Sequence, residues 1–173
     1  MGHFGDLMFE DFGTHLPWLC ACVAKTEGPV LELGAGDYST YTLHVLCHAL
    51  GRHLTTIERQ GDWLARYKAL ADLGHTLQAV TDYLTLPVDG YGLVFIDNGP
   101  AKVRGELLRA FRGHTDIIVC HDSEDRHCAY SPTINEFKYR ADCYRLRPAT
   151  TAVSDNTDLS FLDLPGDMYV KDS

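Results

Sequence analysis

A chain of 173 residues, 45% of them hydrophobic, is long enough to bury one core and short enough to be one domain. Its formal net charge of -9 argues against nucleic acid and anionic membranes as partners, since both present negative surfaces. No apolar run approaches the ~20 residues of a membrane span, and the six cysteines lack CxxC pairs, so reduced thiols in a soluble, cytoplasmic protein are expected.

Residues 1–27 read as an N-terminal helical segment laid across a sheet, centred on "THLPWLCACVAK". Its start, "MGHFGDLMFEDF", lacks the basic-then-apolar run of a secretory signal and has Asp6 where a myristoylation motif wants Ser or Thr. Strand-like and helix-like segments then alternate to about residue 122, the pattern of a mostly parallel sheet with helices on both faces. "PVLELG" is the first strand, followed by a helix from about Tyr38 to Leu50, capped by Asp37 or Ser39 and stopped by Gly51. "HLTTIE" is the second strand. "DWLARYKALADL" is the next helix, with Leu64, Tyr67, Leu70 and Ala71 on one face. "HTLQAVTD" and "YGLVFIDN" are strands three and four. "AKVRGELLRAF" is helical, with Val103, Leu107, Leu108 and Phe111 inward, and "DIIVCHD" is strand five. A short helix is expected from Ser131–Pro132 to about Ala141, then strands in "CYRLRP" and "TTAVSDN". The whole, 1–173, reads as one domain of α/β class without repeats or linkers.

The turn "GAG" after strand one carries the chemistry. Gly34 and Gly36 allow a sharp turn and close approach to a ligand. A dinucleotide fingerprint wants a third glycine at 39, where the chain has Ser39, and the Gly-Lys-Ser/Thr of a triphosphate cradle is absent. Three acids sit at strand ends, on the edge where open sheets bind ligands. Glu32 is close enough to face a cationic group, Glu58 is placed to accept from two ribose hydroxyls, and Asp82 from an adenine amino group. Together they describe a pocket for a phosphate-free, positively charged adenosine, and S-adenosylmethionine fits that description.

"VLELGAG", "TTIE", "VTD" and "LVFID" resemble, in order, the motifs of class I S-adenosylmethionine-dependent methyltransferases over about residues 28 to 125. The resemblance implies a Rossmann-like fold with a seven-stranded sheet of order 3-2-1-4-5-7-6, the last strand antiparallel. It implies that Glu32, Gly34 and Gly36 hold the methionyl end, Glu58 the ribose and Asp82 the adenine, with Arg59, Gln60 or Tyr83 over the adenine faces and Ala35 and Ser39 among the cofactor-binding residues. "FIDNGPAKVRGELLRAF…DIIVCHDSED" is similar to bacterial small-molecule-type members, which carry a DxxP…R turn after strand four and HD(S/T) after strand five.

Asp97, His121 and Asp122 end strands four and five and are the expected catalytic rim. Either His121 or Asp97 is a general base, or Asp97 orients the methionyl ammonium. Alternatively Asp97 and Asp122 hold Mg2+, which lowers the pKa of a substrate hydroxyl. Metal-dependent catechol-type members resemble this arrangement but follow the strand-five Asp with Asn, where this chain has Ser123. "DNGP" lacks the Asp/Asn-Pro-Pro-aromatic motif of base-directed enzymes, a further argument against nucleic acid. Lys102 and Arg104 read as solvated helix charges, and "RHCAYSP" as a lid bringing His127 and Tyr130 to the substrate. The expectation is methylation of a small-molecule acceptor at oxygen or nitrogen, with a homodimer as one way to close so small a site. Its rivals are an inactive S-adenosylmethionine-binding module and a nicotinamide-dependent oxidoreductase.

Overall fold

The computed structural model describes residues 13–162. The first twelve residues of the N-terminal segment, with Asp6 among them, lie outside that range. Helix α1 spans Leu16–Lys25, with Pro17 in its first turn, where a missing N–H costs no hydrogen bond. Strands β1 (Val30–Leu33), β2 (Leu54–Glu58), β3 (His75–Ala79), β4 (Tyr91–Ile96) and β5 (Thr115–His121) run parallel, and β7 (Thr150–Ser154) runs antiparallel to both β5 and β6 (Tyr139–Cys143). The order is β3-β2-β1-β4-β5-β7-β6, as the resemblance implies. No helix among the described residues is long and apolar enough to cross a membrane.

Alternation along the strands sorts the core into two layers. Val30, Leu54, Leu93, Phe95, Ile117 and Val119 face α1 and α2 (Ser39–Ala49), meeting Trp18, Leu19, Leu43 and Cys47. Leu31, Leu33, Val94, Ile96, Ile118 and Cys120 face the other way, onto α4 (Arg104–Phe111) through Leu107, Leu108 and Phe111. Each such aliphatic or aromatic side chain contributes about 1.5–3 kcal/mol by leaving water. The same alternation has a consequence for the site. Glu32, Thr56, Asp97 and His121 all continue the face that α1 and α2 cover.

Three elements differ from the sequence reading. The helix expected over 62–73 is one α-turn, α3 (Gly61–Leu64), followed by a 3-10 stretch over Ala65–Leu70. It buries only Leu64 and Tyr67 fully, too narrow an apolar stripe to hold a longer helix against the sheet. The helix expected to Ala141 is a short turn at Thr133–Asn135, and the strand expected in "CYRLRP" lies earlier: 144–148 are not strand, and residues 139–143 form β6. There Tyr139, Ala141 and Cys143 point inward in turn, a period of two that the flanking prolines obscured. Neither Asp37 nor Ser39 caps α2: Tyr38 holds the N-cap position, and no side chain caps the helix there.

Candidate functional site

Strand order reverses between β1 and β4, and a crevice opens there outside the strands' carboxyl ends. A cleft of about 590 Å³ occupies it, within the ~300–1,000 Å³ typical of ligand sites. Gly36, Asp37, Tyr38, Ser39 and Trp63 line one wall; Asp97, Arg104, His121, Asp122, His15 and Pro148 line the other.

The glycine turn is shaped by backbone contact. Gly34 has φ +95°, and a Cβ there would lie 2.6 Å from the Asp97 carbonyl oxygen, so β1 and β4 approach too closely for any side chain. Ala35 N–H donates to Glu58 Oε2 at 3.1 Å and Gln60 N–H to Glu58 Oε1 at 2.8 Å. These two bonds aim the carboxylate at the turn and leave one lone pair on each oxygen. Trp63 donates its indole N–H to Ala35 O at 2.7 Å, and the Arg66 guanidinium stacks 4.0 Å from its ring.

Glu32 does not face the cleft as expected. It is fully buried under α2, where Thr40 and Thr56 hydroxyls donate to it, the Thr56 bond being 2.7 Å. Burial pushes its carboxyl up to about 7, against the opposing pull of the Ser39, Thr56 and Thr40 hydroxyls. The folded chain therefore holds a proton that the unfolded chain releases between about pH 4.5 and 7, and stability falls as pH rises through that window. Glu32→Gln is expected to remove about 3 kcal/mol of this dependence. Urea unfolding of both proteins at pH 5 and pH 8 checks it, and parallel losses in the two would refute it.

Arg59, Asp82 and Tyr83 also fall outside the cleft. Asp82 is exposed and its Oδ1 accepts from Leu84 N–H in a local turn. Arg59 is exposed, and its N–H donates to the Tyr83 hydroxyl. Tyr83 belongs to the core beneath, because its ring completes the layer with Ile57 and Leu107. The expected lid behaves likewise. Tyr130 is buried with its hydroxyl donating to Ile96 O and His121 O, and His127 is exposed away from the cleft lining.

The opposite wall centres on Arg104, read from sequence as a solvated charge but only 6% exposed. Its guanidinium reaches Asp97 Oδ1 at 3.0 Å, Asp122 Oδ2 at 2.7 Å and the Asn98 carbonyl at 2.7 Å. Sequence showed an arginine at a helix start; only folding brings both carboxylates to it. This arrangement does not fit Mg2+. A divalent cation between Asp97 and Asp122 would meet the fixed positive charge of Arg104, which already takes one oxygen of each, so the expected Mg2+ at Asp97 and Asp122 is not supported.

His121 lies beside them, with Nδ1 3.2 Å from Asp97 Oδ1 and 3.8 Å from Asp122 Oδ1, the nearer contact off the line of a hydrogen bond. Thr14 donates to Pro148 O at 2.6 Å, so its oxygen accepts from His121 Nε2 at 3.2 Å. That fixes a proton on Nε2. Burial lowers the imidazole's pKa, but Asp97 and Asp122 outweigh it and hold it above the ordinary value. His15 was missed by sequence reading, since nothing marks a lone histidine before a helix. It packs edge-on against His121 at 4.6 Å, its ring nitrogens have no partner among the described residues, and burial lowers it to about 4.

No protein-family model and no curated protein matches the sequence. Solved structures do match by fold. The METTL16 MTase domain superimposes with a TM-score of 0.57 at 12% identity, over 82% of this chain and 66% of that one, so the chain spans just under two thirds of that domain. Precorrin-6y C5,15-methyltransferase from Geobacter metallireducens GS-15 gives 0.57 at 15% identity, over 80% of this chain and 86% of that one. The human METTL16 domain, solved with SAH and with the MAT2A 3'UTR hairpin 1, gives 0.53 at 11% identity in each case, over 83% of this chain and 69% of that one. The fold is that of the class I methyltransferases. The argument against nucleic acid is corrected by the same finding, because a domain of this fold is held on an RNA hairpin. Net charge sums over the whole surface, whereas nucleic-acid contact is decided by the local charge around one cleft.

Proposed function

We propose that the protein is an S-adenosylmethionine-dependent methyltransferase acting on a small-molecule acceptor at oxygen or nitrogen. The observation that carries this reading is the cleft at the β1/β4 switch point, with a glycine turn on one wall and two carboxylates on the other. One feature of the rim suits a cationic ligand: Asp97 and Asp122 each give one oxygen to Arg104, and Asp97 keeps Oδ2 for a further positive group. Glu58 is buried behind the glycine turn, outside the cleft lining, and braces that turn through the Ala35 and Gln60 N–H groups, while Trp63 offers an aromatic wall to a base. Asp97 Oδ2 has no protein partner among the described residues and is the acceptor for a methionyl ammonium.

When bound, S-adenosylmethionine would supply an electrophilic methyl group on a sulfonium, and the acceptor oxygen or nitrogen that takes the methyl must give up its proton. His121 has its Nε2 proton committed to Thr14 and its Nδ1 turned to Asp97, so it contributes charge and position. Asp122, which lines the cleft and gives Arg104 only its Oδ2, is the group placed to receive the proton on Oδ1. Arg104 keeps the carboxylates apart and aligned.

Isothermal titration with S-adenosylmethionine, followed by transfer of labelled methyl to small-molecule extracts, tests the reading. Asp97→Asn is expected to weaken cofactor binding, and Asp122→Asn to slow transfer by about 10²–10⁴-fold with binding unchanged. Binding without transfer to any pool would leave a binding module, and NADH binding in place of S-adenosylmethionine an oxidoreductase. A second reading, an RNA acceptor, is favoured by the RNA hairpin on the human METTL16 domain. Label appearing in bulk RNA decides for it.

A further inference from the structure

At the other end of α2 the polar residues form a second constellation. His44 and His48, four residues apart, present both rings on one helix face, 4.5 Å between centroids. That face meets the lead-in to β3, where Asp72 and His75 exchange backbone hydrogen bonds as an antiparallel bridge. Paired residues of such a bridge point the same way, so carboxylate and imidazole both turn to the helix. His48 Nε2 lies 2.9 Å from Asp72 Oδ2, and His44 Nδ1 lies 3.1 Å from His75 Nδ1. Ligand atoms of His44, His48 and Asp72 all fall within 4.8 Å of one another. Two donors on one tetrahedral zinc, each bonded at ~2.0–2.1 Å, sit about 3.3 Å apart, close to the separation of His48 Nε2 and Asp72 Oδ2.

The surroundings set the donors in ligand form. The Thr56 hydroxyl gives its hydrogen to Glu32, so its oxygen accepts from His75 Nε2 at 2.9 Å; His75 Nδ1 then accepts from His44 Nδ1, which leaves the lone pair of His44 on Nε2. Asp72 Oδ1 is occupied by Gly74 N–H at 2.7 Å, which leaves Oδ2 for coordination. Outer partners of this kind orient ligands in metal sites. We propose that His44, His48 and Asp72 form a zinc site, its fourth position left to solvent, that clips α2 to the lead-in to β3. Two imidazoles and one carboxylate suit a borderline-soft ion over Mg2+. The site lies at the amino-terminal edge of the sheet, beside Leu54 at the head of β2, and owes nothing to the methyl-transfer reading.

The full chain, stripped with chelator, is titrated with Zn2+ while metal content and thermal unfolding are followed. One Zn2+ per chain and a Tm rise of about 5 °C or more are expected. The His44→Ala/His48→Ala double variant should lose both. Asp72→Asn, an exposed change that keeps the fold, should weaken binding at least tenfold. No zinc-dependent rise in the wild type, or undiminished binding in Asp72→Asn, overturns the proposal. So does binding that Asp97→Asn abolishes, for it would place the ion in the cleft.

Discussion

Arg104→Ala is expected to destabilise the protein by about 3–5 kcal/mol, the cost of breaking a buried ion pair from one side. The guanidinium is the shared partner of Asp97, Asp122 and the Asn98 carbonyl, and its side chain is only 8% exposed. Without it two carboxylates face each other at the cleft floor with only His121 to offset them. The position has a further cost that the carboxylates now offset: Arg104 opens α4, where the helix dipole disfavours a cation. Thermal unfolding should register a fall of roughly 6–20 °C. Arg104→Lys keeps the charge but loses the fork, and should fall between the two. A loss below about 1 kcal/mol would mean that the pairs behave like solvated surface bridges.

Gly34→Ala should be comparably severe, about 2–6 kcal/mol from left-handed strain and overpacking together. Its Cβ would press on backbone, 2.6 Å from Asp97 O and 2.7 Å from Asn98 Cα, and backbone cannot rotate aside as a side chain can. Relief requires β1 and β4 to part at the switch point, which would displace Asp97 from Arg104 and His121. Gly61→Ala is the control, because nothing lies within 4 Å of a Cβ there. Urea unfolding of the three proteins makes the comparison. Gly34→Ala within 1 kcal/mol of wild type would show that the turn is not pinned by this approach.

These two positions show how differently the chain advertises its parts. Gly34 was singled out for the right place but with a ligand in view, whereas what forbids a side chain is the neighbouring strand. Arg104 was passed over, since a cation at a helix start looks the same in sequence whether solvated or buried. Glu32 was placed toward the ligand by its distance along the chain. Strand alternation turns it under α2 instead, onto Thr40 and Thr56. His15, Trp63 and Pro148 reach the cleft from three separate parts of the chain, and no local pattern joins them.

What the amino-acid sequence determined by itself was the sheet: its five parallel strands, the turn after the first, and carboxylates at the strand ends. Those features follow from hydrophobic runs, glycine punctuation and a period of two, all of which act over a few residues. Only the tertiary structure decided which acids are paired, buried or open, which cation neutralises them, and that two histidines of α2 meet Asp72 and His75. Ionisation and coordination depend on distances of a few ångströms between residues far apart in the chain, and strand order and helix packing set those distances.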